Sequence, residues 1–476
     1  MARYTSLEEL QVDLRSGATS LTELVEYYLK NIEVCKDLNI YVEVYADEAL
    51  EKAAALDAKF KSDSKSVGRL FGLVLSHKDV ICYANHGVTA ASKILEGYTT
   101  PFSATAIQRL LDEDAIIIGR VNCDQFAMGS TNENSIYGPV RNFADPNKVP
   151  GGSSGGSAVA VQADTCLASL GSDTGGSVRQ PASFCGVVGF KPSYGRISRY
   201  GLLAYASSFD QIGTLTHSIS DAALLSEIMS GPDDFDSTAS TRPVEQWSTF
   251  KTSGEALKIA YFKPALEHEN LDVEVRAHSQ KVIDQLKAQG YTVEGVDFDL
   301  LEYIIPAYYV LTTAEASTNL SRFDGIRYGH RSKNATDLLE TYQKSRTEGF
   351  SAEVKRRIML GTFVLSAGYY DAYYGKAQQV RRLIQQRTNA IFETYDFIMM
   401  PASPVQAWNI GEKIDDPVAM YLSDIFTVQA NMVGIPAICI PAGDFENGMP
   451  FGIQFIANRF EEDKLLSFAS QFEKRS

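Results

Sequence analysis

Two serine-bearing glycine turns carry the first hint of chemistry in this chain: Gly-Gly-Ser-Ser-Gly-Gly-Ser at 151–157 and Ser-Asp-Thr-Gly-Gly-Ser-Val-Arg-Gln-Pro-Ala at 172–182. Glycine permits positive φ and close backbone approach, so such turns can aim several N–H groups at one point. A serine set there is a candidate nucleophile, and the N–H groups beside it are a candidate oxyanion hole. The flanks, Ser157-Ala158-Val159-Ala160-Val161 and Cys166-Leu167-Ala168-Ser169-Leu170, are too apolar for a solvated linker. No lysine follows either run in the G-x-x-x-x-G-K-[ST] pattern, which argues against a phosphate-binding P-loop.

A nucleophilic serine needs a base. The chain has six histidines and none lies beside these turns, so a Ser-His-Asp triad has little support. Lys78 follows the apolar run 71–75, which reads as a short buried strand. A lysine after a strand is ordinarily a solvated end. It can serve as a base once burial holds it neutral, because desolvation can lower its usual value of about 10.4 by up to about 3–5 pH units.

Lys78, Ser153 and Ser177, with their spacing and glycine-rich surroundings, resemble the amidase signature family. The resemblance implies a Ser-Ser-Lys triad with Ser177 as nucleophile, Ser153 as bridging serine after a cis peptide bond, and Lys78 as terminal base. It also implies an oxyanion hole from the backbone N–H groups of Thr174, Gly175, Gly176 and Ser177. Blocks at 194–202, 206–213, 321–329, 353–363 and 366–374 are similar to the glutaminase chains of the aminoacyl-tRNA amidotransferases, so the likeness runs from about Leu70 to the end.

That narrower resemblance implies a glutaminase whose ammonia amidates Glu-tRNA(Gln), Asp-tRNA(Asn) or both. It places Arg357 on the α-carboxylate of glutamine, Asp424 on its α-ammonium and Tyr308 in the pocket wall. It implies a cytoplasmic heterotrimer with B and C subunits, in which the B subunit holds the charged tRNA and uses ATP and Mg2+. This chain itself would bind no metal and no cofactor. A free-standing amidase with the same triad and an inactive scaffold are the alternatives. The chain departs from the family at His77-Lys78-Asp79-Val80, where Ile-Lys-Asp-Asn is usual. It departs again at Gln125 and Asn132, where Glu and Thr are common.

The elements that position these residues follow from periodicity. Thr5-x-x-Glu8 and Ser20-x-x-Glu23 are capping-box patterns, and Leu21, Leu24, Val25, Tyr28, Leu29 and Ile32 form one apolar face. The first sixty residues therefore read as a helical segment packed on a catalytic domain spanning 61–476. From Leu70 onward helix and strand alternate: helix 104–114 and strand 115–118, strand 258–262, helix 272–289, strand 291–298, then helix 377–394 before strand 397–400. Asn447-Gly448 marks a late hairpin. The expectation is an α/β fold of amidase-signature type, a mixed sheet covered by helices on both faces, with a long polar loop over 229–256.

Bulk composition agrees. At 45% hydrophobic and 22% charged, the chain reads as a soluble globular protein, with no apolar run long enough to span a membrane and no signal peptide. The six cysteines are scattered without C-x-x-C or Cys/His clustering and read as reduced core residues rather than a zinc site. A net charge of −15 is ill suited to gripping tRNA unaided, and the nearest basic cluster is Lys355-Arg356-Arg357.

Overall fold

β-Branched and aromatic runs bounded by turns become strands in the computed structural model, which describes residues 3–250, 257–413 and 417–473. The strands are β1 (Tyr41–Val44), β2 (Val74–Lys78), β3 (Ile116–Val121), β4 (Ala168–Asp173), β5 (Val188–Lys191), β6 (Gln211–Thr216), β7 (Lys258–Phe262), β8 (Thr292–Val296), β9 (Phe397–Pro401), β10 (Ala437–Asp444) and β11 (Pro450–Ala457). Among the described residues they form one 11-stranded sheet in the order β1-β3-β2-β4-β6-β5-β10-β11-β9-β7-β8. Every residue of β2, β3, β4 and β6 is buried, as expected where helices cover both faces of a sheet.

The sheet is mixed, as expected, but it reverses earlier than the late hairpin suggested. β2 pairs in parallel with β3 and β4, whereas β6 runs antiparallel to both β4 and β5. The expected hairpin is present as β10 and β11, with Ile438 opposite Phe455. Helices Thr105–Asp112, Val273–Ala288 and Lys376–Phe392 lie where the periodicity put them. Residues 251–256 of the expected polar loop lie outside the described residues.

The N-terminal region is not wholly helical. Tyr41-Val42-Glu43-Val44 forms β1 and pairs antiparallel with β3 at the edge of the sheet. The first capping box is also shifted by one residue: Ser6, not Thr5, caps helix Leu7–Ser16, and its hydroxyl accepts from the Glu9 N–H. The Ser20/Glu23 box caps helix Leu21–Val34 in both directions, as its pattern predicts. Leu21, Leu24, Val25 and Tyr28 of that helix are buried. Tyr27 donates to Asp164 at 2.6 Å, tying the helix to the turn before β4.

Two parallel pairings set up the site. Ser76 sits opposite Ser169 and His77 opposite Leu170, so the carboxyl ends of β2 and β4 finish side by side with Lys78 on one and Ser172 and Asp173 on the other. In open α/β sheets, sites form beyond such carboxyl ends. Helix Gly155–Gln162 packs on β2, β3 and β4 and presents Ser153 and Ser154 at its start.

Candidate active site

Lys78 is the last residue of β2, not a group emerging from its end, and it is fully buried. Its ammonium nitrogen donates to three serine hydroxyls: Ser153 Oγ at 2.7 Å, Ser154 Oγ at 2.9 Å and Ser172 Oγ at 3.0 Å. Burial pushes its pKa down to about 8, against the opposing pull of Asp124, Asp173 and Asp210. A lysine surrounded by hydroxyls, with no carboxylate bonded to it, can shed its proton near neutral pH.

Ser153 follows a cis peptide bond from Gly152 and is fully buried. Ser154 donates its N–H to the carbonyl of Ser177 at 3.2 Å, which seats the second serine turn on the first. Of Lys78, Ser153 and Ser177, only Ser177 retains exposure, at 8%, so it is the one that can meet an incoming substrate.

The turn carrying Ser177 is braced by Asp173. Its carboxylate accepts from the Gly176 N–H at 2.9 Å and the Val178 N–H at 3.2 Å, and from Arg179 through both Nε and a terminal nitrogen at 3.0 Å. Asn431 adds a further bond at 3.0 Å. Burial alone would raise the pKa of Asp173, but the Arg179 guanidinium outweighs it and holds the carboxylate down to about 2. The Gly176 N–H is therefore engaged inside the protein, which leaves Thr174, Gly175 and Ser177 as candidate oxyanion donors.

Close packing enforces the two glycines. Gly176 has φ +126, and a Cβ there would collide with the side chain of Thr427. A Cβ on Gly175 would lie 2.5 Å from the Tyr308 hydroxyl, so Tyr308 abuts the turn; it does not line the described cavity beside Arg357 and Asp424. Thr427 donates to the Gly175 carbonyl at 2.7 Å.

Arg357 projects from helix Ala352–Val364 into a buried aromatic cage, with Tyr205, Tyr309 and Tyr421 rings 5.3–5.6 Å from its guanidinium carbon. It bonds Glu353 at 2.8 Å and the Tyr205 hydroxyl at 3.0 Å. Burial works against its charge, but the surrounding hydroxyls and Glu353 more than offset that and keep it protonated. Asp424 accepts from Ser130 at 2.7 Å and Tyr309 at 3.4 Å, and burial raises it to about 7. Tyr309 thus touches both charged groups. A cavity of about 320 Å3 opens beside them, between Met128–Asn134 and Ser351–Arg356, with Asp124 in its wall.

The departures from the family pattern take defined places. None of the three Lys78 bonds involves Val80 or Gln125. Gln125 Oε1 instead accepts from the Ser351 N–H at 2.8 Å, and Ser351 caps the helix that carries Arg357. Asn132 Oδ1 accepts from the Gly156 N–H at 3.0 Å, holding the start of the helix behind Ser153. His77 stacks on Tyr45, and burial lowers it to about 3, which favours the neutral ring. Lys355-Arg356-Arg357 is not a surface basic patch, because Arg357 is buried and Arg356 pairs with Glu353.

Sequence reasoning missed Ser154, Ser172, Ser130, Tyr205, Tyr309, Tyr421, Glu353 and the Asp173–Arg179–Asn431 brace. Ser154 and Ser172 stood in the two glycine turns as a visible signal. The tyrosines carry none, since an isolated tyrosine looks like any packed aromatic.

Comparison with known proteins places the fold. The Amidase family model matches residues 23–466, and the chain belongs to that family. It is 50% identical over 475 residues to the A chain of the glutamyl-tRNA(Gln) amidotransferase of Chlorobium limicola, covering 99% of this chain and 100% of that one. The crystal structure of the corresponding chain from Thermotoga maritima superposes with a TM-score of 0.78 at 40% identity, covering 95% of this chain and 91% of that one. The peptide amidase of Stenotrophomonas maltophilia has a TM-score of 0.82 at 26% identity, over 99% and 96% of the two chains. Among the described residues no helix is long and apolar enough to cross a membrane.

Proposed function

We propose that this chain is the glutaminase component of a tRNA-dependent amidotransferase. It hydrolyses glutamine through Lys78, Ser153 and Ser177, and the ammonia converts Glu-tRNA(Gln) to Gln-tRNA(Gln) in an ATP-dependent reaction on a partner protein. Asp-tRNA(Asn) is a second acceptor compatible with the same chemistry. The observation that carries the reading is the fully buried Lys78 bonded only to serine hydroxyls beside the Ser177 turn.

Neutral Lys78 takes the Ser153 proton while Ser153 takes that of Ser177, and Ser177 Oγ attacks the side-chain amide carbon of glutamine. At a pKa of about 8, roughly one lysine in ten is neutral at pH 7. The N–H groups of Thr174, Gly175 and Ser177 hold the oxyanion, each donor contributing about 3–4 kcal/mol. The relay returns the proton to the departing ammonia, and water then releases glutamate from the acyl-enzyme. Arg357 takes the α-carboxylate in a two-pronged bond, Asp424 takes the α-ammonium, and Tyr308 closes the wall near the reacting carbon. B and C subunits complete a cytoplasmic heterotrimer, and ATP, Mg2+ and the charged tRNA belong to the B subunit.

A panel of amides tests the substrate assignment. Glutamine turnover with aryl and peptide amides left untouched supports it. The reverse pattern makes the chain a free-standing amidase.

A further inference from the structure

Helix Lys376–Phe392 carries Lys376, Arg381, Arg382 and Arg387 and no carboxylate, an unusual stretch in a chain of net charge −15. Arg387 faces Asp299 at 3.5 Å. Arg381 and Arg382 line a cleft of about 370 Å3 together with Arg459, Gln378, Gln385 and Tyr194. Glu315 acts on Arg381 through its charge without bonding it. Among the described residues, none of Arg381, Arg382 and Arg459 forms an ion pair. Three guanidiniums without a bonded carboxylate around one concavity make this cleft locally basic in a protein of net negative charge.

The cleft also abuts the segments that hold the nucleophile turn. Arg381 donates to the carbonyl and hydroxyl of Ser208 at 3.0 and 2.8 Å and to the Met432 carbonyl at 2.9 Å. Its guanidinium lies 4.0 Å over the ring of Phe209, which packs edge-on against Tyr308 at 5.6 Å. Tyr308 in turn abuts Gly175. Next to Met432, Asn431 bonds Asp173.

We propose that this cleft binds a small, multiply charged phosphate ester of mononucleotide size, and that its occupancy tightens the turn carrying Ser177. A compact polyphosphate matches three arginines lining one cleft of nucleotide scale, with Arg381 held in place by Ser208 and Met432 and Arg382 by Gln385 at 2.9 Å. An extended RNA backbone would meet the repulsion of a net −15 surface for the same few contacts. The site is separate from the glutamine pocket, and its binding does not depend on the catalytic reading.

Calorimetric titration of the full chain with ATP and with inorganic pyrophosphate tests the site. Binding at submillimolar concentration, weakened tenfold or more in the double variant Arg382→Gln/Arg459→Gln with its melting temperature unchanged, is the expected result. Hydrogen exchange should slow over 205–210 and 428–433 when pyrophosphate is bound. Absence of binding up to several millimolar, equal binding by the double variant, or binding of RNA or polyglutamate alone overturns the site. Unchanged exchange in both segments with pyrophosphate bound overturns the coupling.

Discussion

Lys78 Nζ and Ser153 Oγ lie 2.7 Å apart, and both residues are fully buried. With no carboxylate on the ammonium, burial is free to lower its pKa, and its hydrogen bonds run to the hydroxyls of Ser153, Ser154 and Ser172. Replacing Lys78 by methionine keeps the stem and removes the base. A positioned general base typically contributes a factor of about 10²–10⁴. Glutamine turnover should fall by about that factor in Lys78→Met, with secondary structure by circular dichroism unchanged.

The pH dependence follows from two buried groups. In the proposed mechanism Lys78 acts when neutral, with a pKa lowered to about 8, and Asp424 holds the substrate ammonium when ionised, with a pKa raised to about 7. Both active forms are the deprotonated ones, so activity is lost as pH falls. The ratio kcat/KM reports the free enzyme. Its logarithm should rise with a slope near two below about pH 7 and near one between about 7 and 8, then level off. A profile flat from pH 6 to 9 would remove Lys78 as the base.

Much of this was legible in the sequence, and the physical reason is locality. Ser153 and Ser177 stand in glycine turns whose conformations are written by their own residues, and Lys78 follows a short apolar run. The contacts around Lys78 were less visible, because Ser172 reaches it only through the parallel register of β2 on β4. Tyr41–Val44 alternates for too few residues between helices to announce a strand. Thr5 and Ser6 both fit an N-cap, and only the tertiary path chose Ser6. The basic face of helix Lys376–Phe392 emerges only once folding shows which of its arginines lack acidic partners.

The nucleophile turn has no room for side chains. Gly176 combines φ +126 with contact to Thr427, so Gly176→Ala is strained twice over. Displacing this turn should reduce kcat by about 10²–10³, the loss seen when an oxyanion donor is removed. KM for glutamine should rise less than kcat falls, because Arg357 sits on another helix, while Asp424 is tied to the displaced Thr427 through its carbonyl at 3.1 Å. A matched rise in KM would point to general unfolding of the pocket.

Arg357 and Asp424 should govern KM more than kcat. Arg357→Lys loses the planar fork and its fit among Tyr205, Tyr309 and Tyr421, and Asp424→Asn loses the charge facing the ammonium. Each should raise KM for glutamine by about 10- to 100-fold, or about 1.4–2.8 kcal/mol. A substrate amide lacking both α-groups should be turned over equally by the variants and the parent.

Gln125 offers a test of positioning rather than chemistry. Its side-chain oxygen holds the Ser351 N–H at the start of the Arg357 helix. Gln125→Glu retains an acceptor and should keep KM within about twofold, whereas Gln125→Ala removes a buried hydrogen bond worth about 1 kcal/mol and should raise KM several-fold. Equal behaviour of the two variants would assign the residue no role in placing Arg357.

The most direct test of the central claim is ammonia release from glutamine, measured for the purified chain alone and then with B and C partner subunits, ATP and charged tRNA. The account predicts slow release by the chain alone, acceleration in the assembled complex, and complete loss in Ser177→Ala while the complex still assembles. No release from glutamine in either setting, or release undiminished in Ser177→Ala, would contradict it.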